Sequence, residues 1–186
     1  AEKLLNAFHN SLKIIDSLFA DKAFKRYYAG TDVNNSGYWE NKKFNVSLYD
    51  ALMFAFRDKD INMVMNTKDL IREAIIGLMT SDEKFIESIS RSTSSKDMLQ
   101  YRCEVVERLI KDVLNTTSKQ PRCFTLEFKQ YLFDNNPTCE ICGNRIEHID
   151  DAAVDHIEQY WQGGKTIPEN ARLTHRYCNN ARKRKE

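Results

Sequence analysis

A mainly α-helical protein with a small second domain at its C-terminus is what the sequence predicts, and three features carry that expectation. Apolar residues recur at helical spacing through about the first 120 positions. The polar stretch Asn115-Thr116-Thr117-Ser118-Lys119-Gln120-Pro121 reads as a linker. Beyond it the texture changes to cysteine pairs, a strand-like run and a glycine turn. The expected division is a helical domain over residues 1–121 and a compact module over residues 122–186.

Residues 3–20 carry Leu4, Leu5, Phe8, Leu12, Ile15, Leu18 and Phe19, a stripe of period 3.6. Residues 21–45 are aromatic, polar and glycine-containing and read as loop with short pieces of structure. Ser47 to Phe56 reads as a short, strongly apolar helix. Thr67 suits the N-cap of a helix reaching Met79. Asp82 and Glu83, after Ser81, suit the first turn of another helix, where carboxylates favour the helix dipole. Ser94 or Ser95 is placed to cap a long helix to Leu114, burying Met98, Tyr101, Val105, Leu109 and Val113. Thr125 to Phe133 reads as a last helix before the cysteines. Ala152 to Ile157 fits a strand, and His175 onward fits a helix because ligands at i and i+3 share a helical face.

Composition bounds the class. With 41% hydrophobic and 30% charged residues, the chain can bury a core. No apolar run approaches the roughly 18 residues of a membrane span, so no membrane partner is expected. The N-terminus shows no signal-peptide pattern and no initiator Met, which points to a piece of a longer protein. Five cysteines, three of them in one pattern, fit a reducing, cytoplasmic setting better than a disulfide framework. The net charge of +1 says little about partners, but Arg172 to Lys185 holds six Lys or Arg and no acid. A basic stripe is the electrostatic footprint of phosphate binding, with Arg172, Arg176, Arg182 and Lys183 as contact candidates.

The chemistry concentrates at the C-terminus. Cys139 and Cys142 form a C-x2-C pair, and His175 and Cys178 repeat that spacing 33 residues later. Two short pairs of soft ligands, far apart in sequence, supply the Cys3His set of a four-coordinate structural zinc site. Gly143 allows the tight turn such a knuckle needs. Between the pairs lies Val154-Asp155-His156-Ile157, and Asn179 and Asn180 follow the last cysteine. Asp155 is a natural ligand for a hard cation such as Mg2+ or Mn2+. His156 suits a general base acting on water. The amide oxygen of Asn179 offers a second cation ligand, with Asn180 as its rival. Asn170 is placed to hold the loop after His156. Adjacent strand residues point to opposite sides, so joint action of Asp155 and His156 requires the strand to end or bend there.

Taken together, Cys139, Cys142, Val154-Asp155-His156-Ile157, Gly163-Gly164-Lys165-Thr166, Glu169-Asn170-Ala171-Arg172-Leu173 and His175 to Asn179 resemble the HNH endonuclease family of the ββα-metal, or His-Me finger, superfamily. The resemblance covers about a quarter of the chain. It implies a small zinc-stabilised ββα-metal nuclease domain after the helical region. It also implies His156 as base, Asp155 and Asn179 as ligands of one divalent cation, and Asn170 as loop support. Three departures stand out: Asn179 in place of the usual final His, His175 where Cys is usual, and Glu158-Gln159-Tyr160-Trp161 in place of a proline shortly after Asp-His.

In the helical part, Phe24-Lys25-Arg26-Tyr27, the Asn45 to Phe56 segment and Tyr101-Arg102 resemble the C-terminal half of GmrSD-type phage-defence proteins. That resemblance implies an anti-phage restriction effector whose N-terminal ParB-like NTPase domain or regulatory subunit lies elsewhere. The expected function is metal-dependent nicking of double-stranded DNA. The alternatives are a zinc-stabilised nucleic-acid-binding module without catalysis, an RNase toxin, and a scaffold presenting Tyr38-Trp39 or Tyr160-Trp161.

Overall fold

The computed structural model describes residues 2–32, 34–116 and 123–182. The chain divides into two compact units, one of residues 1–27 and 39–117, the other of residues 28–38 and 118–186. Eight α-helices lie among the described residues, so the protein is mainly α, and no helix is long and apolar enough to cross a membrane. The expected linker falls almost wholly outside the described residues.

The first unit holds α1 (Glu2–Phe19), α2 (Val46–Phe56), α3 (Ile61–Met65), α4 (Lys68–Ser81), α5 (Glu83–Ser90) and α6 (Lys96–Thr116). Two very short strands, β1 (Tyr27–Tyr28) and β2 (Tyr38–Trp39), pair with each other. The helix starts are set chemically. Asn45 Oδ1 accepts from Leu48 N at 2.8 Å and caps α2. Asp60 Oδ1 accepts from Asn62 N and Met63 N and caps α3. Asp82 Oδ1 accepts from Phe85 N at 2.8 Å, so Asp82 is the cap of α5 rather than part of its first turn. Thr67 stands at the N-cap of α4 but makes no cap bond; its hydroxyl donates back to Met63 O and Val64 O. A Thr hydroxyl turned toward the preceding turn is the known competitor of capping.

Two expected faces differ from those observed. In α1, burial begins at Ser11 and continues through Ile14, Ile15, Leu18 and Phe19, whereas Leu4 is 77% and Leu5 53% exposed. The helix is tied down from Asn10 onward, where Asn10 Nδ2 donates to Lys59 O and Ser11 Oγ to Met53 O. In α6 the fully buried positions are Val106 and Ile110, beside Arg102, while Tyr101, Leu109 and Val113 only flank the core. The face is wider than one stripe because α6 packs against α2, α4 and α5 together.

Arg102 is the charged member of that core, 2% exposed. Its Nη1 donates to Ser88 O and Thr93 O, and its Nη2 donates to Asp50 Oδ2 at 3.2 Å. It thereby satisfies one carbonyl of the last turn of α5, Ser88 O, and one of the turn that follows, Thr93 O.

The second unit packs α7 (Leu126–Asn135) against an antiparallel pair, β3 (Ala152–His156) and β4 (Ala171–His175), followed directly by α8 (Arg176–Ala181). Thr125 caps α7, accepting from Phe128 N. The small core joins Cys139, Ile146, Ala152, Leu173 and Cys178, with Leu132, Phe133 and Val154 against it. Residues 171–174, where sequence suggests loop, form β4 with His175, and α8 begins at Arg176 with His175 as its N-cap.

Replacing Arg102 with Met should leave buried carbonyls unpaired and destabilise the helical unit by roughly 1–3 kcal/mol. Urea unfolding followed by helical circular dichroism measures this; an unchanged midpoint would remove Arg102 from the account of the core.

Candidate active site and metal centre

The segment before β3 forms a tight knuckle. Cys139 N donates to Asn144 O at 2.9 Å, and Gly143 N donates to Cys139 O at 2.8 Å. Gly143 takes φ +75°, a conformation that side chains disfavour. The knuckle is fastened to the sheet because Glu140 N donates to Leu173 O at 2.9 Å, on β4. This brings Cys139 and Cys142 to the junction of β4 and α8, where His175 ends the strand and Cys178 lies on the first turn of the helix.

The ligand atoms of Cys139, Cys142, His175 and Cys178 all lie within 4.8 Å of one another. Cys142 Sγ is 3.4 Å and Cys178 Sγ 4.0 Å from His175 Nδ1. A tetrahedral zinc with ordinary bond lengths places sulfur and nitrogen about 3.6 Å apart, so the four groups suit that ion. His175 Nε2 contacts Arg145 O at 3.1 Å. That carbonyl takes the second ring N–H and leaves Nδ1 to face the sulfurs, the usual support of a metal-ligating imidazole. Cys139 Sγ also accepts from His175 N at 3.3 Å.

The thiols respond unequally to being crowded. Burial opposes ionisation of Cys142, but hydrogen bonds from Asn144, Cys139 and His175 overcome it and lower its pKa to about 6. Burial, followed by the neighbouring Cys142 and Cys139, pushes Cys178 up to about 12. The environments of Cys142 and Cys178 thus push in opposite directions, and a divalent cation would favour the thiolate form of its sulfur ligands.

The other face of the same scaffold holds the remaining residues. In the β3–β4 register Asp155 lies opposite Arg172 and His156 opposite Ala171. His156 is the last residue of β3, so the strand ends where Asp155 and His156 must serve one site. Both line a cavity of about 240 Å³, together with Gln159, Tyr160, Trp161, Asn179 and Arg182. Asn179 is half-buried and lines this cavity; Asn180 is exposed and does not. A larger cavity of about 840 Å³ lies in the helical unit, but Asp58, Lys59, Glu104, Glu107 and Lys111 give it mixed charge without a convergent donor set.

Asp155 is 8% exposed, and three charge-assisted hydrogen bonds converge on its Oδ2. They come from Arg172 Nε at 2.9 Å, Arg172 Nη2 at 2.7 Å and Arg182 Nη1 at 2.7 Å. Arg182 also donates to the carbonyls of His156 and Ile157, at 2.6 and 2.8 Å. Arg172 and Arg182, expected on a phosphate-binding stripe, are thus engaged with this carboxylate. Arg176 departs further: it is 6% exposed, and its Nε donates to Asp150 O. The first turn of α8 turns it inward, so it is no part of an exposed stripe. Lys183 lies outside the described residues.

Asn170 sits across the loop that leaves His156. Its Oδ1 accepts from Glu158 N at 2.8 Å, and its Nδ2 donates to Glu158 O at 3.0 Å and Lys165 O at 2.9 Å. Gly164 completes the clasp, since a Cβ there would stand 1.9 Å from Glu158 O. Two contacts to His156 were not anticipated from sequence. Thr166 Oγ1 lies 2.9 Å from His156 Nε2, and the Phe124 ring is 4.7 Å from the imidazole. Thr166 had a signal in the Gly163-Gly164-Lys165-Thr166 run; Phe124 had none.

Cys139→Ser should remove bound zinc and expose the amides of residues 139–182, because structural metal sites supply folding free energy. Native mass spectrometry should find one zinc per wild-type chain and none in the variant; equal amide protection in both would dissociate the cluster from folding. Asn170→Ala should raise hydrogen exchange across residues 158–165, with a stability loss of about 1–3 kcal/mol and the helical unit unchanged. Unaltered exchange there would deny Asn170 its clasp.

No curated protein and no solved structure matches the chain. Residues 139–185, which span the knuckle, β3, β4 and α8, match the family model of the HNH endonuclease. The C-terminal part of this chain therefore carries an HNH endonuclease domain.

Proposed function

We propose that the protein is a metal-dependent endonuclease that nicks DNA, with His156 as general base and Asp155 and Asn179 as ligands of one Mg2+ or Mn2+. The observation that carries this reading is the convergence of Asp155, His156 and Asn179 on one cavity beside the Cys3His cluster. A binding module would need the cluster and the cations, but not this set.

The donors fit a hard cation. Among the described residues no hydrogen bond reaches Asp155 Oδ1, while Oδ2 is held by the two arginines. Asn179 brings a neutral amide oxygen to the same cavity. Two protein oxygens with the rest left to water and phosphate is an ordinary arrangement for Mg2+. Such an ion, when bound, supplies charge stabilisation at the scissile phosphate and the leaving oxygen.

The chain's own residues do the rest. Thr166 Oγ1, 2.9 Å from His156 Nε2, orients the imidazole, and His156 takes the proton of the attacking water. Arg172 fixes the direction of the Asp155 carboxylate through two bonds to one oxygen. Arg182 carries positive charge to the cavity rim, where a phosphate would lie. Phosphate contacts position without specifying, so little sequence preference is expected.

A role as the effector of an anti-phage restriction protein, governed by a ParB-like NTPase domain or regulatory subunit, rests on the resemblance of the helical part to GmrSD-type proteins. It concerns regulation and leaves the chemistry above unchanged.

His156→Ala should reduce nicking of supercoiled plasmid by about 10²–10⁴-fold while DNA affinity stays near wild type. Nicking and binding falling together would assign His156 to binding instead. RNA offered beside the plasmid separates the RNase alternative, which requires cleavage of RNA alone.

A further inference from the structure

The loop that follows His156 carries Tyr160 and Trp161, and neither is used by the chemistry above. They lie in a short 3-10 turn, Tyr160–Gln162, that ends at Gly163 with φ +99°. Trp161 is 51% and Tyr160 36% exposed. Exposure alone assigns them no task; their place beside the residues of the candidate site does. Both line the same cavity as Asp155, His156 and Asn179, and the Tyr160 ring is 5.9 Å from the His156 imidazole.

The loop is built to hold these rings in place. Asn170 pins Glu158 and Lys165 on either side of the turn. Gly164 N donates to Gln159 O at 3.2 Å, and Gly164 packs so closely on Glu158 that no side chain fits there. Trp161 Nε1 donates to Gln159 Oε1, which orients the indole. Both rings line that cavity while remaining exposed, so a flat ring system can lie against them. Arg182 supplies the positive charge that a backbone phosphate beside such a ring requires.

We propose that Tyr160 and Trp161 form a stacking platform for one nucleobase, unstacked beside the phosphate held at Asp155, His156 and Asn179. This rests on the nuclease reading for the phosphate's place. Stacking is tolerant of base identity because every base has a π-face, so the platform selects for a strand whose base is free to leave its stack. The preferred substrate is therefore single-stranded, frayed or locally unpaired DNA rather than the continuous double-stranded DNA expected from sequence.

The chain has two tryptophans, Trp39 and Trp161, so Trp39→Phe leaves Trp161 as the sole indole reporter. This variant is titrated, without added divalent cation, with an eight-nucleotide thymidine oligomer and with an abasic oligomer of equal length. Quenching of Trp161 emission by the thymidine oligomer and not by the abasic one is expected. In the otherwise wild-type chain, Trp161→Ala should bind the thymidine oligomer about 5- to 150-fold more weakly. Its affinity for the abasic oligomer should be unchanged, and Trp161→Phe should restore most of the loss. Equal quenching by both oligomers, quenching by neither, or unaltered affinity in Trp161→Ala would overturn the platform. With Mg2+ or Mn2+ added, Trp161→Ala should also lower the ratio of single-strand to duplex cleavage. Absence of any cleavage by the wild type would sink the nuclease reading, while the binding arms would still decide the platform.

Discussion

Four ligand atoms gathered within 4.8 Å govern the C-terminal unit. Its hydrophobic core is small: five buried residues, two of which are the ligands Cys139 and Cys178. A core of that size does not hold a domain by burial alone, which is why small modules of this kind use a staple. The cluster joins a knuckle, the last residue of β4 and the first turn of α8. Because β4 is in register with β3, fixing His175 fixes Ala152 opposite it, and three to four residues along the strand it fixes Asp155 and His156. Cys178 and Asn179 are neighbours in sequence, so the same staple sets where Asn179 stands. The stability of the unit and the geometry of its cavity therefore have one origin.

Electrostatics add a second layer. A buried carboxylate is costly unless paired, and Asp155 is paired twice over, by its cross-strand neighbour Arg172 and by Arg182 from the end of α8. All these bonds go to one oxygen. The carboxylate is held in place without its whole coordination capacity being consumed. Arg182 in addition caps the two carbonyls that follow β3, so the end of α8, the end of β3 and the cavity rim move as one piece.

Much of this was legible in sequence, for identifiable reasons. Metal ligands announce themselves because their chemistry demands particular residue types at particular spacings, and Gly143 marked the turn between them. Period and start signals marked the longer helices of the first unit, but not the short α3, Ile61–Met65, nor which faces would be buried. Arg102 enters the core because a carbonyl in the last turn of α5 and one in the turn that follows need donors, a demand created by tertiary structure and invisible to a hydrophobic count. Thr67 and Asp82 lay at the right boundaries, yet the capping bond belongs to Asp82 and not to Thr67. β4 escaped because its five residues, Ala171–His175, show no clear alternation of their own and read as loop; their strand form comes from pairing with β3. Charge in one dimension does not say what each cation faces: Arg176 turns inward, and Arg172 faces Asp155.

The central claim is that one metal-stapled scaffold both folds the C-terminal unit and assembles the hydrolytic set. Zinc titrated into reduced, metal-stripped protein, with amide protection of residues 139–182 and Mg2+-dependent plasmid nicking followed in parallel, tests it most directly. The account predicts that protection and nicking rise together and saturate at one zinc per chain. Full nicking by the metal-stripped protein, or full protection with no nicking under Mg2+ or Mn2+, would contradict it.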